Sequence, residues 1–367
     1  MKIAIVHDWL LGLGGAERTL KVFHEMFPEA PIYTFFHNEK FTKEFLPQAQ
    51  IKPSALQKWY NLTGRHRWLL PFLPMTAEAW DFSEYDLVIS SSIAFSKGLV
   101  LKPRTKHLSY CYSPTRFLWD WNHEYEQRGW VFSLMRHFLR IWDRQSSHRV
   151  DQFVAISKNV QSRIKKYYGR DSTVIYPPLT LPIPSLLSSD RTKINRDDYF
   201  LIVSRLFPHK NIEIAIEAFN KLGWPLVIVG SGPEYKRLRA MITNPSKIRM
   251  VGEVTDTDLA TYYLHAKAFI LPQEEDFGLT PLEAMSYGKP VLALRRGGAL
   301  EYILEGINGE FFDDPHPATL ADGARRLSDK YAQYSPLDIK KTAERFSRER
   351  FEEEMGEAIT EIRTSQC

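Results

Sequence analysis

Cysteine is almost missing from this chain. Cys111 and Cys367 are the only two in 367 residues. They make neither a disulfide framework nor a metal-ligand set, which fits a reducing, cytoplasmic compartment. Long apolar runs are missing too. No stretch approaches the roughly 20 residues of a membrane-spanning helix. A secretory leader is not expected, because Met1–Val6 meets His7 and Asp8 before any apolar region of useful length. Strong charge of one sign is also absent. The net charge is +4, and no module clusters basic residues with stacking aromatics as a nucleic-acid binder would, so no nucleic-acid partner is expected. No Asp-x-Asp pair stands in a plausible loop for a divalent ion.

What is present is an ordinary globular composition, 44% hydrophobic and 25% charged, with enough length for two domains. The first half alternates strand and helix patterns. Lys2–His7 reads as a buried strand, Gly12-Leu13-Gly14-Gly15 as a tight turn and Arg18–Phe27 as a helix. That unit suits close approach of a phosphate, and it suits a purely structural turn equally well. A dinucleotide fingerprint would want glycine or alanine where Glu17 stands, so the NAD reading fails there. Ala30–Phe36, Asp86–Ser90, Lys106–Tyr112, Gln152–Ser157 and Thr173–Tyr176 read as strands. Asn38–Trp80 reads as irregular, and Lys158–Tyr168 as a basic helix.

Gly129–Val150 reads as a helix with one broad apolar side and a basic remainder. Such a helix can lie in a membrane interface, or it can pack on the sheet like any other. The run within residues 65–74 also combines basic and apolar side chains. Prolines 177, 178, 182 and 184 mark a linker over Pro177–Asp198. The alternation then resumes more cleanly, so both halves predict parallel sheets covered by helices. Ile339–Ile362 predicts one or two amphipathic helices.

Ligands of open α/β sheets bind at the carboxyl ends of strands. Several loops of the second half leave such ends. Ser204–Asn211 carries Arg205 and Lys210, two cations suited to a diphosphate. Gly230-Ser231-Gly232-Pro233 allows close backbone approach, and Gly252-Glu253-Val254 follows a third strand. Gly297-Gly298 opens a further helix, as a cap or as a phosphate contact. Pro272–Pro290, PQEEDFGLTPLEAMSYGKP, holds the densest signal. Thr280 and Glu283 have capping-box spacing, with Pro281 between them and Gly288 as the stop. Glu283 alone reads as a cap, and the acidic run Glu274–Asp276 alone as a solvated loop.

Glu275, seven residues and Glu283, with Phe277-Gly278-Leu279 between them, resembles the E-x7-E signature of retaining glycosyltransferases of family 4. The amino-terminal string from His7-Asp8-Trp9-Leu10 through Gly14-Gly15-Ala16-Glu17-Arg18 is similar to bacterial polysaccharide and O-antigen mannosyltransferases within that family. Ser113–Asp120 resembles a further family segment, with Tyr112 where the family usually has histidine near the donor sugar. Tyrosine keeps a hydrogen bond to a sugar hydroxyl but offers no protonatable imidazole. Arg116 either binds a phosphate or pairs with Asp120.

The resemblance implies an α/β, GT-B architecture: two Rossmann-like domains with parallel sheets facing a central cleft. It places an acceptor-binding domain at 1–180, a nucleotide-sugar domain at 181–345 and a C-terminal helix at 346–367 crossing back onto the first domain. It implies transfer of a hexose, mannose from GDP-mannose before others, to a lipid-linked or growing oligosaccharide. Other donors of the fold are UDP- and ADP-sugars. Other activities are those of an epimerase or a sugar-nucleotide-binding protein. By resemblance, Arg205, Lys210, Gly14 and Gly15 meet the diphosphate, Gly252 and Val254 the base, and Glu283 the ribose. Gly230 lines the donor, and Glu275 with the amides of Phe277, Gly278 and Leu279 meets the sugar. Asp8, Tyr112 and Arg116 fall on the sugar or acceptor side. No metal and no cofactor are implied, and residues 65–74 and 129–150 are the candidates for contact with the inner face of the plasma membrane.

Overall fold

A computed structural model describes residues 1–64, 66–120, 129–181 and 199–364. Arg65, Arg128, Cys367 and most of the expected linker, from 182 to 198, lie outside the described residues. The chain divides into two compact units, Met1–Pro178 with Glu349–Cys367, and Leu179–Arg348.

The first unit holds β1 (Ile3–Leu10), β2 (Ile32–His37), β3 (Ile51–Pro53), β4 (Leu87–Ser92), β5 (Lys106–Cys111), β6 (Gln152–Ala155) and β7 (Thr173–Val174). All pair in parallel, in the order β3-β2-β1-β4-β5-β6-β7. The helices are α1 (Gly15–Met26), α2 (Glu39–Phe45), α3 (Gln57–Thr63), α4 (Leu73–Glu78), α5 (Arg116–Trp119), α6 (Trp130–Ser147) and α7 (Lys158–Tyr168). Strand order reverses between β1 and β4, the place where an open sheet leaves room for a ligand.

The stretch 38–80, expected to be irregular, is largely helical. Asn38 caps α2 by accepting from the Phe41 N–H at 3.2 Å, and Pro71 sits inside a 3-10 turn, His66–Phe72, that leads into α4. Prolines there shape helix ends, where the missing N–H has no helical acceptor to lose. The short edge strand β3 was likewise hidden, because three residues are too few to show a period.

The second unit holds β8 (Tyr199–Val203), β9 (Leu226–Val229), β10 (Ile248–Gly252), β11 (Ala266–Leu271), β12 (Val291–Leu294) and β13 (Gly309–Phe312). They too pair in parallel, in the order β10-β9-β8-β11-β12-β13, so this sheet reverses between β8 and β11. Its helices are α8 (Ile212–Leu222), α9 (Tyr235–Ala240), α10 (Asp256–His265), α11 (Leu279–Ser286), α12 (Pro317–Asp329) and α13 (Pro336–Glu344). Strand β13 went unread in the sequence. Its Gly309 is fixed by contact, since a Cβ there would lie 2.2 Å from the Val291 carbonyl oxygen.

The last helix, α14 (Arg348–Thr364), packs on the first unit. Phe351 is buried edge-on against Phe23 of α1 and Tyr110 of β5, with ring centroids 5.4 and 5.6 Å apart. The Arg350 guanidinium donates to the Tyr176 carbonyl at 2.9 Å. Phe351→Ala should cost about 3–5 kcal/mol through lost burial and the cavity left behind. A lowered urea midpoint checks this, and an unchanged one removes α14 from the core of the first unit.

Candidate active site

In the second unit, β8 leads through Ser204–Phe207 into a 3-10 turn, Pro208–Lys210. Asn211, φ 51°, is the only non-glycine residue with positive φ among the described residues, and it swings the chain into α8. Asparagine tolerates that conformation because its short polar side chain can bond locally. Lys210 is thereby turned inward and is 7% exposed. On the neighbouring strand, β11 leads into Pro272–Gly278. The two loops meet where the Lys210 Nζ donates to Glu275 Oε1 at 2.5 Å. Gln273 donates its amide to the same oxygen at 2.8 Å, and the Asn211 amide reaches the Pro272 carbonyl at 3.4 Å.

The glycine pair 297–298 supports this turn from behind. A Cβ on Gly297 would lie 2.3 Å from the Glu275 carbonyl oxygen, and one on Gly298 2.5 Å from Phe277 Cα. Both obstacles are backbone, so neither can yield. The Gly298 N–H donates to the Glu275 carbonyl at 2.8 Å. What the sequence left as a cap or a phosphate contact is a packing device for the acidic turn.

The capping box expected of Thr280 and Glu283 does not form. Helix α11 begins earlier, with Gly278 at its N-cap position, φ 90°, and no side-chain cap. Glycine admits that entry without a penalty. Glu283 is released to turn inward, 4% exposed, and accepts from the Tyr263 hydroxyl at 2.8 Å. Tyr263 stacks on Tyr287 at 5.6 Å. Burial, and after it the charge of Glu283, pushes the Tyr287 hydroxyl up to about 12. Phe277 is buried and packs edge-on against Tyr302 and Phe346. It therefore offers the site its backbone only. Leu279 is half-buried.

The remaining loops are laced backbone to backbone. Gly230 (φ 130°) and Gly232 admit the Ser204 and Leu206 carbonyls, which Cβ atoms would meet at 1.9 and 2.4 Å. The Leu206 N–H donates to Ser231 O at 2.8 Å, and the Gly230 N–H to Gly252 O at 2.8 Å. Gly252 has φ 79° and Val254 is half-buried. Arg205 is exposed, its guanidinium 5.7 Å from the Phe207 ring centroid. Lys210 and Arg205 thus share a loop but have different neighbours. Sequence reading missed Gln273, Tyr263 and Tyr302. The Tyr302 hydroxyl is buried without a hydrogen-bond partner and would stand 2.9 Å from a Cβ at Gly278. Only the nearness of Gln273 to Glu275 in sequence could have signalled any of them.

In the first unit the structure corrects Asp8. It is not turned toward an acceptor. Its buried carboxylate accepts the N–H groups of Ile93, Ala94, Phe95 and Ser96 at 2.6–2.9 Å, and the Ser96 hydroxyl at 2.9 Å. Asp8 therefore caps the turn that leaves β4 and joins it to β1. Tyr112 is half-buried. Its hydroxyl donates to the Ala16 carbonyl at 3.1 Å and lies 3.0 Å from Ser91 Oγ. The hydroxyl thereby links the first turn of α1 to β4. Burial drives its ionisation well above the usual phenol range. Asp120 is gripped by the Arg163 guanidinium at 2.7 and 2.8 Å. Gly14 and Gly15 stand at the start of α1, which carries no side-chain cap. The described residues contain no group of three metal-ligating side chains.

Two sequence families match this chain. The model described as Glycosyltransferase Family 4 covers residues 13–181, and that of Glycosyl transferases group 1 covers 187–348. The chain is a family 4 glycosyltransferase. The mouse Alpha-1,3/1,6-mannosyltransferase ALG2 is 23% identical over 96% of this transferase and 94% of its own length. The O-antigen chain mannosyltransferase RfbU of Salmonella typhimurium is 31% identical, over 43% of the transferase and 46% of RfbU. An uncharacterized glycosyltransferase of Methanocaldococcus jannaschii is 24% identical, and the transferase spans about half its length. The crystal structure of Anabaena HepE in complex with UDP-glucose shares the fold, with a TM-score of 0.73, 19% identity, 98% of this chain and 100% of that one covered. The architecture of the transferase is GT-B.

Asp8→Ala would strip four buried N–H groups of their acceptor. It should destabilise the first unit by about 3 kcal/mol or more. Circular dichroism in urea reads this, and a variant as stable as the parent would return Asp8 to the list of free acidic groups.

Proposed function

We propose that this transferase moves a hexose, mannose from GDP-mannose, onto a lipid-linked or growing oligosaccharide with retention at the anomeric carbon. The contact between Lys210 and Glu275 across β8 and β11 carries this reading. It puts a cation and a carboxylate, both largely withdrawn from water, at the point where the second sheet reverses. The names of the mannosyltransferases it resembles support mannose. The UDP-glucose bound to HepE favours a second reading, in which the donor is a UDP-sugar. An ADP-sugar is the third donor to test.

In the reaction the bond from the anomeric carbon to the leaving diphosphate breaks, and a bond to the acceptor oxygen forms on the same face. The acceptor proton passes to the departing diphosphate, so no enzyme base is assigned. Negative charge grows on the diphosphate, and Arg205 and Lys210 answer it electrostatically. Glu275 holds a sugar hydroxyl beside the amides of Phe277, Gly278 and Leu279. Glu283, with Tyr263 behind it, takes the ribose. Gly230 lines the donor, and Gly252 and Val254 serve the base through their backbone. In the first unit, the Gly14-Gly15 turn offers backbone N–H groups suited to a phosphate, and Arg116 belongs to the sugar or acceptor side. This scheme asks for no metal ion.

Binding of GDP-, UDP- and ADP-sugars should separate in a thermal-shift screen. Lys210→Ala should weaken GDP and UDP alike by roughly tenfold or more. Glu275→Ala should lower transfer by at least about a hundredfold while the protein stays folded. Near-normal turnover of that variant would defeat the assignment of the acidic turn.

Contact with a membrane rests on α6. Met135, Leu139 and Trp142 face the core. Trp130, Leu134, Phe138 and Ile141 form a second apolar stripe at helical spacing, and it is exposed, Trp130 by 79% and Phe138 by 61%. Arg136, Arg140 and Arg144 recur every four residues on a third side. Trp68, Phe72 and Met75 are also exposed. An apolar stripe flanked by arginines suits the interface of an anionic bilayer, at the cytoplasmic face of the plasma membrane. No helix among the described residues is long and apolar enough to cross one. The protein should pellet with phosphatidylserine vesicles at low salt, less so at high salt, and Phe138→Glu should abolish pelleting. Equal pelleting of that variant would clear α6 of the role.

A further inference from the structure

Tyr302 follows the glycine pair 297–298 and is fully buried in the second unit. Its ring is packed edge-on by Phe277 and Phe346, with centroids 5.7 and 6.3 Å away. That packing would serve a phenylalanine equally well. The hydroxyl that tyrosine adds has no hydrogen-bond partner. Burying a hydroxyl without one costs free energy, and native proteins hold few such groups.

The hydroxyl lies at the acidic turn. A Cβ on Gly278 would come within 2.9 Å of it and within 3.6 Å of Glu275 Cβ, so both flank one point beside the start of α11. Glycine at 278, φ 90°, keeps that point clear of a side chain. The proton stays on the phenol. Burial, and after it the charges of Glu275 and then Glu301, drives its ionisation well above the usual phenol range. Tyr302 is therefore a donor, and Glu275 is the carboxylate that acts on it more strongly.

Glu275 is engaged elsewhere. Its Oε1 takes the Lys210 ammonium at 2.5 Å and the Gln273 amide at 2.8 Å. A diphosphate competes for that ammonium, because it carries more negative charge than a carboxylate. A carboxylate largely withdrawn from water that loses its cation gains from each further donor. The backbone of the turn is wedged by Gly297 and Gly298, so any answering movement falls to the Glu275 side chain.

We propose that Tyr302 is the second partner of Glu275: when a diphosphate draws Lys210 away, the Tyr302 hydroxyl donates to the Glu275 carboxylate and holds it in place for the sugar. Tyr302 is then a positioning residue, acting on the substrate through Glu275. The trigger rests on the assignment of Lys210 to the donor diphosphate made above. The exchange transfers no proton. One hydrogen bond to the carboxylate breaks and another forms, while the phenol and the ammonium keep their protons.

The exchange can be read with and without a nucleotide. In protein labelled with carbon-13 at tyrosine Cζ, the Tyr302 signal is the one missing from Tyr302→Phe. It should move downfield when GDP or UDP saturates the parent, as a phenol does on donating to a carboxylate, and it should not do so in Glu275→Ala. In Lys210→Ala it should stand downfield with no nucleotide present, and Lys210→Ala/Glu275→Ala should return it. Tyr302→Phe should unfold at the same urea concentration as the parent or a higher one, yet bind GDP and UDP about tenfold more weakly. A lower urea midpoint means that the hydroxyl already has a partner in the free protein, and overturns the proposal. So does undiminished nucleotide binding by that variant, or a Tyr302 signal that stays put in the nucleotide-bound parent. A parent that binds neither nucleotide defeats the donor assignment instead. Lys210→Ala then decides the pairing, and a signal that is not downfield there overturns it.

Discussion

One contact organises the second unit: the bond between Lys210 and Glu275 across the reversal of the sheet. Drawing an ammonium and a carboxylate out of water costs several kcal/mol for each ion, and their attraction offsets this only with good geometry and further hydrogen bonds. Those further bonds are present. Gln273 donates to the same carboxylate oxygen, and Asn211 ties its own loop to Pro272. Two charges so placed satisfy each other when the site holds nothing, and each is ready for a ligand of opposite sign. The glycine pair 297–298 then explains why the acidic turn stays put. Backbone packed on backbone leaves it nowhere to retreat.

The first unit uses the same topology with a different chemical solution. Its reversal lies between β1 and β4, and there Asp8 reaches across to four consecutive amides. Beside it, Lys97 and Asp143 form a fully buried ion pair at 2.5 Å that also binds Thr115 and the Trp119 indole. That second network joins α6 to the segment carrying Arg116. The helix with the exposed apolar stripe is thus anchored on its inner side by charge as well as by packing, which lets its outer side remain unpaired without loosening the fold.

The alternation of strand and helix was legible because burial on both faces leaves unbroken apolar runs such as Phe200–Val203 and Phe269–Leu271. The E-x7-E spacing was legible because Glu275 and Glu283 are fixed by one continuous turn. Partners brought from afar were not legible. Tyr263 reaches Glu283 from α10, and Ile93–Ser96 reach Asp8 from 85 or more residues away. Sequence reading gave both carboxylates local jobs, a helix cap and an acceptor-side acid, since a chain shows only its near neighbours. The capping box failed for a definable reason. Gly278 could open the helix without help, so the residue three positions on from Thr280 was free to turn inward.

Tyr112 shows why a single substitution within a known pattern is hard to read from the pattern. Its chemistry as an isolated phenol suggested a surviving hydrogen bond to a sugar. In the fold its hydroxyl reaches the Ala16 carbonyl at 3.1 Å and Ser91 Oγ at 3.0 Å, Ser91 Oγ lies 3.0 Å from Nδ1 of His7, and Nε2 of His7 faces Glu17. A dinucleotide-binding turn keeps a small residue at that place so that helix and strand can close directly. Here a glutamate fills the gap, and a histidine on the adjoining strand answers it. The residue that departs from a dinucleotide fingerprint at the level of sequence is, at the level of structure, a buried carboxylate facing a buried histidine beside the first turn of α1.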